Sequence, residues 1–206
     1  MYWVVMILSG IGAFALARYL VKPRVDAWRR GRRLPARFVV VDLQTTGPSP
    51  ARHEILGIAA VRVTPGRVDH PFIHALVRSG KPLPRKALEA ARVTQQTIDA
   101  EGRRAQEALQ AFIDFAGADR LVFYDAPAQL AFLNALADRH GLRIDAPVSD
   151  VLDMARRAWP ARGKFKLGEL ARTLGAEPAR RNHPLNDCGM IATVYAEAAI
   201  ALKRLD

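Results

Sequence analysis

The sequence predicts an α/β domain of three layers with a mixed sheet in the middle, preceded by one apolar N-terminal helix. Three observations predict it. A continuous β-branched run at residues 38–43 stops at Thr45-Thr46-Gly47-Pro48, the pattern of a strand buried on both faces. Two further strand patterns follow directly, so a meander opens the domain. Beyond them, helical periodicity alternates with a short strand, which places helices on both sides of one sheet.

The elements follow in order. Residues 55–63 read as a second strand, Pro65-Gly66 as a turn and 68–77 as a third strand. Residues 105–115 carry Ala108, Leu109, Phe112, Ile113 and Phe115 at helical spacing. A short strand at 121–124 leads into a helix over 127–140, with Pro127 in its first turn and Gly141 ending it. Shorter helices occupy 151–159 and 167–174, the second ended by Gly175, and a last helix covers 185–203. The chain has no internal repeat and no low-complexity segment.

The first stretch stands apart from this domain. Residues 1–17 carry no charge, and with Arg18 to Val21 they make an apolar segment long enough, at about 1.5 Å per residue, to cross one hydrocarbon core. Residues 18–37 then hold eight basic side chains against Asp26, a net +7 of the chain's +11, and leave +4 for residues 38–206. Residues 1–21 are therefore expected to be a transmembrane anchor and 22–37 a basic juxtamembrane linker, with residues 18–37 facing anionic lipid. The positive-inside rule places the domain, 38–206, on the cytoplasmic side. A cleaved leader is the competing reading, because Ala15-Leu16-Ala17 matches a cleavage site. Against it, no basic residue precedes the apolar run and the basic collar opposes translocation.

Composition narrows the class of the rest. Of the 206 residues, 25% are charged and 50% hydrophobic, values that exclude a disordered, collagenous or coiled-coil chain. The single cysteine, Cys188, excludes an intrachain disulfide and a cysteine-built zinc site; it reads as a small packing residue.

Chemistry concentrates in three places. Asp42 and Gln44 share one face of the first strand, because strand side chains alternate, and Thr45-Thr46-Gly47 follows them. The run from Val41 to Gly47 resembles the first motif of the DEDD-type 3′→5′ exonucleases, the proofreading family of the DNA polymerase III epsilon kind, with a ribonuclease H-like fold. Residues 121–133, including Asp125 and Gln129, are similar to the second motif. Asn182-His183-Pro184-Leu185-Asn186-Asp187-Cys188 resembles the third, and 166–171 the segment before it. The resemblance spans residues 37–200.

That resemblance implies a metal-dependent hydrolysis of nucleic-acid 3′ ends. The family's cage of four carboxylates holds two Mg²⁺ about 3.5–4 Å apart, and a neutral histidine takes a proton from the attacking water. By resemblance Asp42, Gln44, Gln129, His183 and Asp187 are the catalytic positions, Asp42 and Asp187 the metal ligands, and Thr45, Thr46 and Gly47 the backbone that faces the terminal nucleotide. The sequence departs from the pattern at two acids: Gln44 stands for the family's glutamate and Gln129 for its aspartate. Two negative charges then face a possible +4, so one strong Mg²⁺ or Mn²⁺ site at most is expected. The family's histidine falls on Asn182, with His183 one residue off, so whether a shortened turn delivers His183 to the general-base position is left open.

Several residues have a plainer alternative. Asp125 is either a replacement carboxylate or the cap of the helix that follows it. Asp187, taken alone, suits the first turn of a helix through the helix dipole. Glu54, next to a strand start, reads as solvated. Between 156 and 181, eight basic residues against Glu169 and Glu177 give +6. They form either a surface for a nucleic-acid backbone or a solvated helix face. Two functions remain open: a membrane-anchored exonuclease for single-stranded DNA or RNA 3′ ends, with activity reduced or lost, and an inactive nucleic-acid- or protein-binding module on the same fold.

Overall fold

The computed structural model describes residues 34–64, 71–80, 82–91, 93–176 and 184–203. Within them lie strands β1 (Phe38–Thr45), β2 (Ile55–Val63), β3 (Phe72–Leu76), β4 (Arg120–Phe123) and β5 (Val148–Asp150). The helices are α1 (Arg85–Ala91), α2 (Gln95–Glu101), α3 (Ala105–Ala116), α4 (Ala126–His140), α5 (Val151–Ala158), α6 (Leu167–Thr173) and α7 (Pro184–Lys203).

The strands form one mixed sheet in the order β3-β2-β1-β4-β5. β1 and β2 run antiparallel from the pair Phe38–Val63, and β2 and β3 are antiparallel too. β4 lies parallel to β1, and β5 parallel to β4. The continuous Phe38-Val39-Val40-Val41 run is explained by what covers it. Phe38 and Val40 point to one face, where they pack with Ala59, Val61, Val122 and residues of α5, α6 and α7. Val39 and Val41 point to the other, against Ile58, Ala60 and residues of α3 and α4 such as Leu109, Phe112 and Leu133. Both faces are therefore dry, and alternation of polar with apolar residues is not needed. A third cluster, Leu56, Leu76, Leu83, Ala87, Ala91 and Ile98, sits under α1 and α2 at the far end of β2. Leu56 reaches it through a register shift between Gln44 and Thr45, where the pairing jumps from Gly57 to Ile55.

The three-layer α/β architecture and the mixed central sheet agree with the sequence-based expectation. The third strand is shorter than expected: it spans Phe72–Leu76, and residues 65–70, with the expected Pro65-Gly66 turn, lie outside the described residues. The α1–α2 pair and β5 were not expected. α1 and α2 are seven residues each with one or two buried positions, too little to show a period. β5 is three residues long. The expected anchor, residues 1–21, and most of the linker, 22–37, also lie outside the described residues. Among the described residues no helix is long and apolar enough to cross a membrane.

The start of the domain is tied down. Arg37 Nε donates to Asp119 Oδ1 (2.8 Å) and Arg62 Nε to Asp119 Oδ2 (3.0 Å), so one carboxylate joins the entry of β1 to β2 and to the α3–β4 turn. Arg62 also lies 4.7 Å from the centre of the Phe115 ring.

Candidate active site

The site forms at the end of β1 away from that anchor. Val41 is the last fully buried residue of the run, and from Asp42 onward the strand is partly open. Alternation puts Asp42 above Val40, on the face that α7 covers. α7 is held there by its own apolar residues, Leu185, Ile191 and Tyr195, and by Cys188, whose Sγ lies 3.9 Å from the Val40 carbonyl and 3.8 Å from that of Ala59. Asp187 precedes Cys188 in the first turn of α7, so seating the thiol on the sheet brings the Asp187 carboxyl within electrostatic reach of Asp42.

The electrostatics record this meeting. Burial, and then the charge of Asp187, push the Asp42 carboxyl up to about 8. Burial raises Asp187 as well. The Cys188 thiol is pushed up by burial first and by both carboxylates next, so it is an inert packing group, as its sequence context suggested. Two carboxyls with raised proton affinity, on facing elements, make a place where a cation is favourable and its absence is costly.

The two glutamines turn elsewhere. Gln129 Oε1 accepts from the Leu43 N–H (3.1 Å), and Gln129 Nε2 donates to the Tyr124 carbonyl (2.9 Å). One carboxamide thus joins the end of β1 to the end of β4 in the gap where their parallel pairing has stopped at Val40–Val122. Gln44 Nε2 donates to the Ala91 carbonyl at the end of α1 (3.3 Å), while its Oε1 is buried without a hydrogen-bond partner. That oxygen rests over Gly57, the residue paired with Gln44, where a Cβ would come within 2.9 Å of it.

Asp42 and Asp187 are the carboxylates of the family positions that would hold a divalent cation here. Among the described residues no group of three or more His, Cys, Asp or Glu side chains is placed to hold a metal ion. Asn182 and His183 lie outside the described residues.

Asp125 corrects an expectation. It stands at the N-cap position of α4 but makes no capping hydrogen bond with its side chain, and its backbone is left-handed, with φ 63°. Its exposed side chain supplies no third carboxylate to the pair either. What it contributes is a sharp corner from β4 into α4, which brings Gln129 back toward β1.

Thr45, Thr46 and Gly47 form a braced turn. Thr45 Oγ1 donates to the Gly47 carbonyl (3.0 Å), Thr46 N–H to the Glu54 carbonyl (2.9 Å), and Glu54 N–H to Thr46 Oγ1 (2.9 Å). Glu54 is not simply solvated: its carboxylate accepts from the Ser79 hydroxyl (2.9 Å). His53, to which no sequence motif points, packs its ring on Gly47 so closely that a Cβ there would lie 2.3 Å from His53 Cδ2. Glycine at 47 is thus a matter of space. Tyr124 was also not anticipated; its hydroxyl donates to the Phe165 carbonyl and fastens the α5–α6 loop beside the site.

Comparison with known proteins agrees with this geometry. A family model described as exonuclease, RNase T, matches residues 39–195. The DNA polymerase III PolC-type of Thermotoga maritima is 28% identical over 171 residues, 82% of this chain but 12% of that protein. The DNA polymerase III subunit epsilon of Aquifex aeolicus is 27% identical over 167 residues, covering 81% of this chain and 82% of its own. E. coli exonuclease I, solved in complex with a dT13 oligonucleotide, superposes with a TM-score of 0.66 at 16% identity, over 83% of this chain and 42% of that one. This chain thus spans about an eighth of the PolC-type relatives and under half of exonuclease I. With three motifs in order on a five-stranded mixed sheet, and the Asp42–Asp187 pair where the first and third motifs meet, the chain belongs to the RNase T exonuclease family, the DEDD-type 3′→5′ exonucleases of ribonuclease H-like fold.

Proposed function

We propose that the domain acts on 3′ ends of single-stranded nucleic acid and hydrolyses them slowly, with one divalent cation in place of two. The observation that carries this is the division of the four family positions. Asp42 and Asp187 still face one another, while the carboxamides of Gln44 and Gln129 are hydrogen-bonded to the main chain. Exonucleases of this family use divalent metal ions, Mg²⁺ or Mn²⁺. Held by Asp42 and Asp187, such an ion would offset charge on the scissile phosphate and make bound water more acidic. The protein's own groups do the rest. The braced Thr45–Gly47 turn presents backbone to the terminal nucleotide, and His183 stands in the chain one residue from where the family's general base belongs.

Losing two carboxylates lowers affinity for a second cation, and with it the stabilisation of the leaving 3′ oxygen. Purified full-length chain in Mn²⁺ is expected to shorten a labelled single strand from its 3′ end slowly, and Asp42→Ala to abolish the shortening. Equal cleavage by that variant would assign the activity to something else. The second reading, an inactive binding module, is favoured by the hydrogen bonding of both glutamines. Binding of the strand with no shortening in Mn²⁺ would establish it.

The N-terminal segment extends the proposal to location. Residues 1–21 anchor the chain, residues 18–37 lie on anionic lipid, and the domain sits on the cytoplasmic side. The linker joins the domain at Arg37, at the start of β1, whereas Asp42 and the Thr45–Gly47 turn lie toward its other end. Eight residues of strand extend about 26 Å, so the Thr45–Gly47 turn and the attachment of the linker lie at opposite ends of β1. Fractionation of cells should leave the full chain in the membrane pellet and release residues 34–206 to the supernatant.

A further inference from the structure

We propose that the concavity between α5 and the α5–α6 loop is a clamp for the phosphate backbone of single-stranded nucleic acid, and that it works without a divalent cation. The proposal rests on the reading of the domain as one that acts on nucleic acid, and it adds where the strand is held.

Arg156, Lys164 and Lys166 line this concavity around a floor of Leu152, Pro160 and Phe165. Their charge is available. Among the described residues neither Arg156 nor Lys164 has a carboxylate within ion-pair distance, and Lys166 has only Glu169, 3.8 Å away at an exposed position where such a pair contributes little. The neighbouring Arg157 differs: it reaches Asp153 at 3.5 Å and belongs to the solvated side of α5. The basic cluster is thus divided by the fold. Part of it is the solvated helix face that charge runs usually make, and part of it converges on a hollow.

The hollow is held in shape. Arg162 donates from Nε to the Lys164 carbonyl (3.1 Å) and from Nη2 to Thr173 Oγ1 (3.1 Å), so one guanidinium ties the loop to α6. The Tyr124 hydroxyl, donating to the Phe165 carbonyl, ties it to the end of β4. A Cβ on Gly163 would meet nothing within 4 Å, which leaves that flank open to an approaching chain. A preformed, positively charged hollow binds with less ordering cost than free side chains.

Its place selects the ligand. Trp159 and Phe165 pack against the same core cluster as Val40, Ala59 and α7, so the hollow lies on the face of the sheet that carries Asp42 and Asp187. β4 and β1 are parallel, and their carboxyl ends share one edge. From Phe165 a run of hydrogen bonds passes through Tyr124 and Gln129 to Leu43, between Asp42 and Gln44. A polymer of phosphates with its 3′ end at Asp42 has these three cations beside it. Among the described residues that line the hollow Phe165 is the single aromatic, so the grip is on backbone charge and not on bases.

The test uses the full-length chain in detergent, EDTA to remove divalent cations, and anisotropy of a labelled dT oligonucleotide across a salt series. Arg156→Ala/Lys164→Ala/Lys166→Ala is expected to weaken binding at least tenfold. It should also flatten the slope of log affinity against log salt by about 2, as the loss of three phosphate contacts predicts. Arg104→Ala/Arg139→Ala/Arg143→Ala removes equal charge near the opposite face and is expected to leave both quantities unchanged; matching thermal melts exclude misfolding. Equal weakening by the two triple variants, or no binding by the parent chain in EDTA, overturns the proposal. So does a first triple variant that loses phosphatidylserine vesicles while keeping the oligonucleotide, which would assign the hollow to lipid. Retained binding in EDTA with no trimming in Mn²⁺ would overturn only the hydrolytic reading.

Discussion

Gln129 shows how one substitution can change what a position is for. Its carboxamide accepts from Leu43 and donates to Tyr124, two main-chain groups that the sheet leaves unpaired once β1 and β4 diverge. A carboxylate has no donor for the Tyr124 carbonyl, so the glutamine performs a task that the family's aspartate cannot. Gln129→Ala should lower unfolding free energy by about 1–3 kcal/mol, the usual cost of orphaned polar groups. Gln129→Glu, which restores only the acceptor, should fall between the two in a urea titration. A parent-like Gln129→Ala would show that water replaces the amide without loss. The glutamine's identity was legible in the sequence as a missing ligand. Its partners were not, because Leu43 is 86 residues away and no local pattern encodes that meeting. Asp42 and Asp187 were legible: strand alternation and the third motif placed each on its element.

At the scale of elements, legibility followed length and burial. β1 declares itself by a continuous β-branched run, α3 by its apolar period, and α4 and α7 by length between stop signals, whereas α1 and α2 are helical largely because the sheet end and Gln44 receive them. Isolated seven-residue helices are marginal in water, so α1 depends on contacts made from outside it. Gly57 is one of these at one remove. Replacing it with alanine puts a methyl group against Gln44 Oε1, and the carboxamide must swing away from the Ala91 carbonyl. Gly57→Ala should therefore speed amide exchange in α1 while exchange in α3 and α4, on the other face, stays at the parent rate. Uniform acceleration across all helices would mean that β2 itself is damaged and the Gln44 bond is incidental.

For the whole molecule, the Asp42–Asp187 pair links stability to pH and to cations. The Asp42 carboxyl is raised from its ordinary value to about 8 by burial and by its neighbour, so the folded chain holds a proton that the unfolded chain releases near pH 4. Stability without metal is then greatest below that value and falls as pH rises toward 8, beyond which this group contributes no further change. The slope has the opposite sign to that of a salt-bridged aspartate. A divalent cation requires both carboxylates ionised, so its apparent affinity should climb between pH 6 and pH 8 as the competing proton leaves. The melting temperature in EDTA should decline over this range, and Mn²⁺ should raise it more at pH 8 than at pH 6. Asp42→Asn keeps the shape of the side chain and removes its titration. It should melt higher than the parent in EDTA at pH 8, and neither the decline nor the Mn²⁺ increment should remain. If Asp42→Asn keeps the parent's Mn²⁺ increment, the cation binds elsewhere, and the pair at the end of β1 is a structural relic of the family's site instead of a working ligand set.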